Sequence, residues 1–173
     1  ALTFIIGFSV NAGTITIELS DSNVNVGDSV QVSLLATGFD PFDTFDFDFD
    51  FDISLFSYDD TTSLTSDLLA VPPFAFDVNQ VPDGMALSFL DFNLYAGGDF
   101  LLASFDLLAL APGDSLFSLS DLLFSDSSTS TIDVNSDSVA QSSVTTVSEP
   151  GSLALFGLAG LAGLALFGFR RKA

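Results

Sequence analysis

The sequence predicts an all-β fold, a β-sandwich or jelly roll, on three observations. Thr44–Asp52 alternates strictly, with Phe45, Phe47, Phe49 and Phe51 on one side and Asp46, Asp48, Asp50 and Asp52 on the other. A helix would scatter those phenylalanines around its whole circumference, so the pattern specifies a strand with one face in a core. Turn residues then recur at short intervals from Asn25 to Asp114. No stretch of the body carries a helical period.

Taken in order, the chain opens with Ala1–Ala12. This run reads as the distal half of a secretory leader, with Val10-Asn11-Ala12 as a small-residue cleavage site and a mature start near Gly13. The alternative is a first strand of the fold. Thr14–Ser20 sets Ile15, Ile17 and Leu19 against polar neighbours, and Asn25–Ser29 is a turn. Val30, Val32 and Leu34 share a face before Gly38, and the Phe/Asp strand follows. Pro72-Pro73 and Val81-Pro82-Asp83-Gly84 bracket a short strand at Phe74–Val78, and Ala86–Asn93 is the next. Asp99–Leu110 puts Leu101, Ala103, Phe105 and Leu107 together before the turn Ala111–Ser115. Leu116–Phe124, Thr131–Val134 and Val139–Val147 bring the total to about nine strands, with no internal repeat. Between Ser125 and Ser148, 13 of 24 residues are Ser or Thr, so part of this region reads equally as a flexible stalk.

The last stretch is different in kind. Leu153–Phe169 holds 17 residues without a charged or strongly polar side chain. As a helix it would extend roughly 25 Å, near the short limit for a membrane span. Arg170, Arg171 and Lys172 follow at once and are the only basic residues in the chain. That asymmetry predicts a single C-terminal transmembrane helix with its basic end cytoplasmic and the acidic body outside. A buried core helix is the alternative for a run of this length.

Charge removes several classes of function. The formal net charge is −20, and the 23 acids of the remaining chain face no cation at all. Nucleic acid is excluded as a partner, because nothing neutralises its phosphates. Phosphate-bearing cofactors lose their usual Lys and Arg clamps. There is no Cys and no His, hence no thiol chemistry and no imidazole base or zinc ligand. Among 21 Asp some pair always lies at a tempting distance, but the body has no cation to tune it. A nucleophilic serine would have only carboxylates as base. The expectation is a protein that is not an enzyme.

Glu149-Pro150, the Gly/Ala/Leu-rich run and Arg170-Arg171-Lys172 together resemble the PEP-CTERM sorting signal of Gram-negative bacteria. Ser148 stands where that family has its first proline. The resemblance implies export, retention in the inner membrane through residues 153–169 and processing by an exosortase. Glu149, Pro150, Arg170, Arg171 and Lys172 are then the sorting-signal residues.

A second resemblance covers roughly Thr14–Val147. Val26–Leu35, the aromatic-acidic strand Phe45–Ser57, Phe100–Leu110, Pro112–Ser115 and Leu119–Asp126 follow a cohesin-like pattern. The usual Asp-Pro after the aromatic strand is replaced by Asp52-Ile53-Ser54. The resemblance implies a jelly-roll sandwich of about nine strands and noncovalent attachment of another protein, a dockerin-like partner being the family's. The organisation expected is therefore a leader remnant at 1–12, a cohesin-like domain at 13–147 and a sorting segment at 148–173.

Ca²⁺ is the one cofactor the residues invite. Asp46, Asp48, Asp50 and Asp52 lie about 6.5–7 Å apart along a strand face, too far for two of them to chelate one ion directly. The row also starts like an EF-hand loop, but Phe51 and Ser57 occupy the required Gly and Glu positions. It reads first as a solvated outer face that keeps a Phe-rich strand from pairing with other chains, with at most a diffuse cation layer. Asp133-Val-Asn135-Ser-Asp137 lacks the Gly and the closing acid of a calcium loop and reads as a turn. By resemblance, Asp121 and Asp126 are placed for a cohesin-type calcium site.

The function expected is an exported adhesion or scaffold module of the cell surface or extracellular polysaccharide matrix. Two alternatives stay open: a carbohydrate-binding module for exopolysaccharide, with Tyr58 and any exposed Phe to stack on sugars, and a self-assembling matrix subunit.

Overall fold

The computed structural model describes residues 12–58, 64–126, 130–135 and 139–146. Among them are twelve strands: β1 Gly13–Leu19, β2 Asn23–Asn25, β3 Ser29–Phe39, β4 Phe42–Asp50, β5 Phe56–Tyr58, β6 Ala75–Val81, β7 Gly84–Tyr95, β8 Gly98–Ala109, β9 Gly113–Asp126, β10 Ser130–Ile132, β11 Val134–Asn135 and β12 Ala140–Thr145. One 3₁₀ turn, Asp67–Leu69, precedes β6. The strands form two sheets, ordered β11-β1-β3-β8-β5 and β2-β12-β9-β4-β7-β6, with β10 added on β9.

The strands outnumber the nine expected because β2, β5, β10 and β11 are two or three residues long, too short to show a period. Where it is described, the Ser/Thr-rich stretch is sheet rather than stalk: Ser142 is buried within β12, and Val144 pairs with both Val24 and Gly113. The leader remnant expected at 1–12 falls outside the described residues except Ala12, and β1 begins at Gly13. The C-terminal transmembrane helix, with all five sorting-signal residues, also lies outside them. Among the described residues no helix is long and apolar enough to cross a membrane.

The alternation expected over Thr44–Asp52 holds residue by residue, after an irregular start to β4 in which Phe42 and Asp43 are both buried. Phe45, Phe47, Phe49 and Phe51 are buried, whereas Asp46 and Asp52 are exposed and Asp48 and Asp50 half-buried. The phenylalanine face meets rings from both sheets. Phe45 stacks on Phe89 of β7 at 5.4 Å, and Phe49 stacks on Phe117 of β9 at 5.8 Å. Phe105 of β8, from the opposite sheet, meets Phe49 edge-on at 5.4 Å. Parallel offset within a sheet and edge-to-face contact across it are the arrangements that ring quadrupoles favour. Ile15, Val30, Val32 and Leu34 close the core from the other layer.

One turn depends on glycine. Val81 pairs with Gly84 across the two-residue connection Pro82-Asp83, and Gly84 pairs on its other side with Asp50 of β4. Gly84 has φ of 154°, and a Cβ there would collide with the Phe49 carbonyl oxygen. The backbones of β4 and β7 approach this closely only because position 84 has no side chain.

Phe49 is fully buried at the centre of these contacts, whereas Leu116 on neighbouring β9 is 60 % exposed. Phe49→Ala is expected to lower the unfolding free energy by about 3–5 kcal/mol. Leu116→Ala should change it by less than about 0.5 kcal/mol. Denaturant unfolding of the two variants checks the pair, and comparable losses would contradict the core described here.

Candidate functional site

Two surface features stand out: the acidic outer face of the longer sheet, and an apolar cleft at one end of the sandwich.

The outer face is built on β4, β7 and β9. Asp46, Asp48 and Asp50 point outward from β4, opposite Leu123, Ser120 and Ser118 of β9. β4 is paired on both sides, by β7 and β9. The Asp row lies on the outer face of a central strand, where β7 and β9 rather than the carboxylates close its two edges. Asp52 leaves the row altogether. Its carboxylate accepts hydrogen bonds from the backbone N–H and hydroxyl of Ser54, at 2.8 and 2.6 Å, and its carbonyl caps Leu55 and Phe56. Those Ser54 bonds hold its pKa below the ordinary value.

Asp121 enters the row from the next strand. Between the pairs Asp46–Leu123 and Asp48–Ser120, one residue of β4 faces two of β9, a β-bulge at Asp121 and Leu122. Asp121 adopts φ of 51°, the left-handed region. Its charge raises the pKa of Asp48, second to partial desolvation and ahead of Asp50 and Asp46. Asp126, by contrast, sits five residues on, at the end of β9, paired with Ser130 of β10. By strand parity it falls on the side of buried Phe124, away from Asp121. Among the described residues no group of three or more acids is close enough to hold a metal ion.

The cleft, of about 470 Å³, lies between the 3₁₀ turn and the C-terminal half of β7. Leu68, Val71, Phe89, Leu94 and Tyr95 line it, with Asp67 and Asp91 at the rim. Asp67 is fixed by accepting the Leu101 N–H at 2.8 Å. Burial, then the Asp67 charge, push the Tyr95 hydroxyl pKa up. Beside the cleft, Phe74 and Phe92 pack on each other at 4.7 Å while remaining 64 % and 78 % exposed. Sequence reasoning missed this region. Its signal was the end of alternation after Leu90, where Leu90, Phe92 and Leu94 fall on the parity that Ala86 and Ser88 hold earlier. Tyr58, the sugar-stacking candidate, is half-buried against Phe105.

Residues 146–172 match the family model described as the PEP-CTERM protein-sorting motif. No curated protein matches the chain. Among solved structures, it is similar to a type I cohesin–dockerin complex from Clostridium thermocellum, with TM-score 0.65 and 14 % identity over 82 % of this chain and 99 % of that one. A non-cellulosomal cohesin from Archaeoglobus fulgidus aligns at TM-score 0.62 and 12 % identity, covering 80 % of this chain and 95 % of that one. The cohesin module of a Clostridium perfringens family 33 glycoside hydrolase gives 0.59 and 17 %, over 79 % and 98 %.

The raised pKa of Asp48 fixes the sign of a pH effect. Its proton is held more tightly in the folded than in the unfolded chain, so the ionised form costs stability. The cost is absent well below pH 3.8, the ordinary value, and complete at neutrality. Asp48→Asn is therefore expected to raise the melting temperature at pH 7, a gain that vanishes as the pH falls below 3.8. The same melts read a cation layer: Ca²⁺ should stabilise the unaltered chain beyond NaCl of matched ionic strength, and the variant less. Equal shifts leave only screening. Residues 146–172 thus carry a PEP-CTERM protein-sorting motif, and the body before them has the fold of cohesin modules.

Proposed function

We propose that this chain is an exported, non-catalytic attachment module. Its β-sandwich would hold a partner protein noncovalently at the cell surface or in the extracellular matrix. One observation carries the proposal: a sorting motif directly follows a body with the cohesin fold. The Clostridium thermocellum relative is a cohesin in complex with a dockerin, and a dockerin-like module is accordingly the first partner to test. The charge of the body supports a partner that brings cations of its own, since the body supplies none.

In this reading residues 153–169 tether the chain to the inner membrane, and Arg170, Arg171 and Lys172 hold the end of the span in the cytoplasm. An exosortase would act near Glu149-Pro150, releasing the body. Ca²⁺ enters only as a diffuse layer over Asp46, Asp48, Asp50 and Asp121.

Calorimetric titration of the full chain in detergent against a panel of dockerin modules, with matrix polysaccharides in parallel, tests the attachment role. Saturable binding to a dockerin is expected; binding to sugar alone would replace this reading with the carbohydrate-binding one. For the tether, Leu161→Arg puts a charge at mid-span, costing about 2.5–3.5 kcal/mol on insertion scales. The variant should shift from the membrane to the soluble fraction of producing cells, and an unchanged distribution would sink the tether.

A further inference from the structure

We propose that β6 is a self-pairing edge, through which two copies of this chain join their longer sheets into one continuous sheet about a twofold axis. Of the four strands that end the two sheets, β11, β2 and β5 are two or three residues long. Short edges of that kind offer little to pair with. β6 is seven residues long, and among the described residues no strand pairs with its second side. Its register with β7 runs from Ala75 to Val81 without a bulge. It has no internal proline, and the lysine that commonly blunts such edges is unavailable in a body without cations. Asp77 is its only charge.

The hydrogen-bonding parity identifies the groups on offer. In an antiparallel pair closed by a two-residue connection, the residues flanking the connection form a doubly hydrogen-bonded pair. With Val81 opposite Gly84, such pairs recur at Asn79–Ala86, Asp77–Ser88 and Ala75–Leu90. The backbone N–H and C=O groups of Phe76, Val78 and Gln80 are then directed to the open side.

Those three residues are symmetric about Val78, and this selects a second copy as the occupant. In an antiparallel pair centred there, Val78 faces Val78 of the second copy and Phe76 faces its Gln80, both as hydrogen-bonded pairs. Asp77 faces Asn79, so the strand's one charge meets an amide donor twice and never its own carboxylate. A heterologous strand would have to supply the same sequence of complements by chance. Two bodies of like charge repel, so association should strengthen with salt.

The chain has no cysteine of its own, which makes the register directly readable. Two forms of the full chain in detergent at high salt, Asp77→Cys and Asn79→Cys, are mixed and oxidised. Positions 77 and 79 form a non-hydrogen-bonded pair about 4.5 Å apart across the axis, within disulfide reach. Identical positions are offset diagonally by about 7–8 Å, beyond it. The expected result is a disulfide-linked dimer in the mixture at several-fold higher yield than in either form alone or in Gln141→Cys, on distant β12. Equal yields in all four samples, as tail-mediated or random collision would give, or no dimer in any, overturn the proposal. Asn79→Asp sets a second carboxylate opposite Asp77 in both halves of the interface and leaves an exposed site. In sedimentation it should weaken the dimer by several-fold, and an unchanged dimer likewise counts against this edge.

Discussion

The structure depends on one strand that divides its side chains by character. β4 sends Phe45, Phe47 and Phe49 into the core, with Phe51 just past its end, and there they meet rings from β7, β9 and β8. Each buried ring contributes roughly 1.5–3 kcal/mol by area removed from water. β4 is hydrogen-bonded on both sides, by β7 and β9, and packed on one face. A register slip of one position would bury three carboxylates and expose the phenylalanines, so the alternative pairings are strongly excluded. β7 and β9 take their places from this strand, and the opposite sheet closes over it.

The even-numbered side of the same strand sets the electrostatic character of the molecule. With all three cations at 170–172, the aspartates of the body have no Lys or Arg within the body to pair with. Carboxylates are held instead by hydroxyl and backbone donors. Asp52 accepts two bonds from Ser54, Asp114 accepts one from Ser143 at 2.6 Å, and Asp67 takes the Leu101 N–H. Such charge-assisted bonds satisfy acceptors locally and leave the net charge unchanged. At Asp48, partial burial first and then the charge of Asp121 are borne as a raised proton affinity. Among the described residues no buried side-chain polar atom lacks a partner. Apart from Asp43, which is buried, the carboxylates of the described residues are at least partly exposed, where salt screens them.

The sandwich was legible in sequence because its long strands alternate and its turns are chemically marked. Gly27 has φ of 92°, and Asn25 and Asp28 close the turn around it as those residue types predict. The site was less legible. A single-strand pattern places Asp46, Asp48, Asp50 and Asp52 in one row but says nothing about which strands lie beside it. That β4 is central, with both of its edges paired by β7 and β9, is therefore not legible in the row itself. Asp52 left the row because Ser54 offered it a local partner. The bulge at Asp121 did leave a trace: buried positions run 117 and 119, then 124, a change from odd to even that a strict strand would not make. The short strands β2, β5 and β11 left none, since they exist only through neighbours distant in sequence, and β10, paired locally with the end of β9, is too short to show a period.

Tethering and edge pairing need not compete, because the strand order separates them. β12, from which the chain runs on toward the sorting motif, lies one strand from the β2 end of the longer sheet. β6 closes the opposite end, with β9, β4 and β7 between. A body held through its C-terminus would thus keep its long edge on the side of the sheet away from the tether. The acidic outer face between them, carrying Asp46, Asp48, Asp50 and Asp121, remains uncovered by either contact. Pairing at β6 would double that face in one plane without burying any of its carboxylates. Two weak attachments on a shared sheet then act together, raising the effective concentration of the second once the first has formed. The arrangement suits a module whose individual contacts must work against a strongly anionic surface: the energy that one copy cannot supply alone is recovered by presenting two.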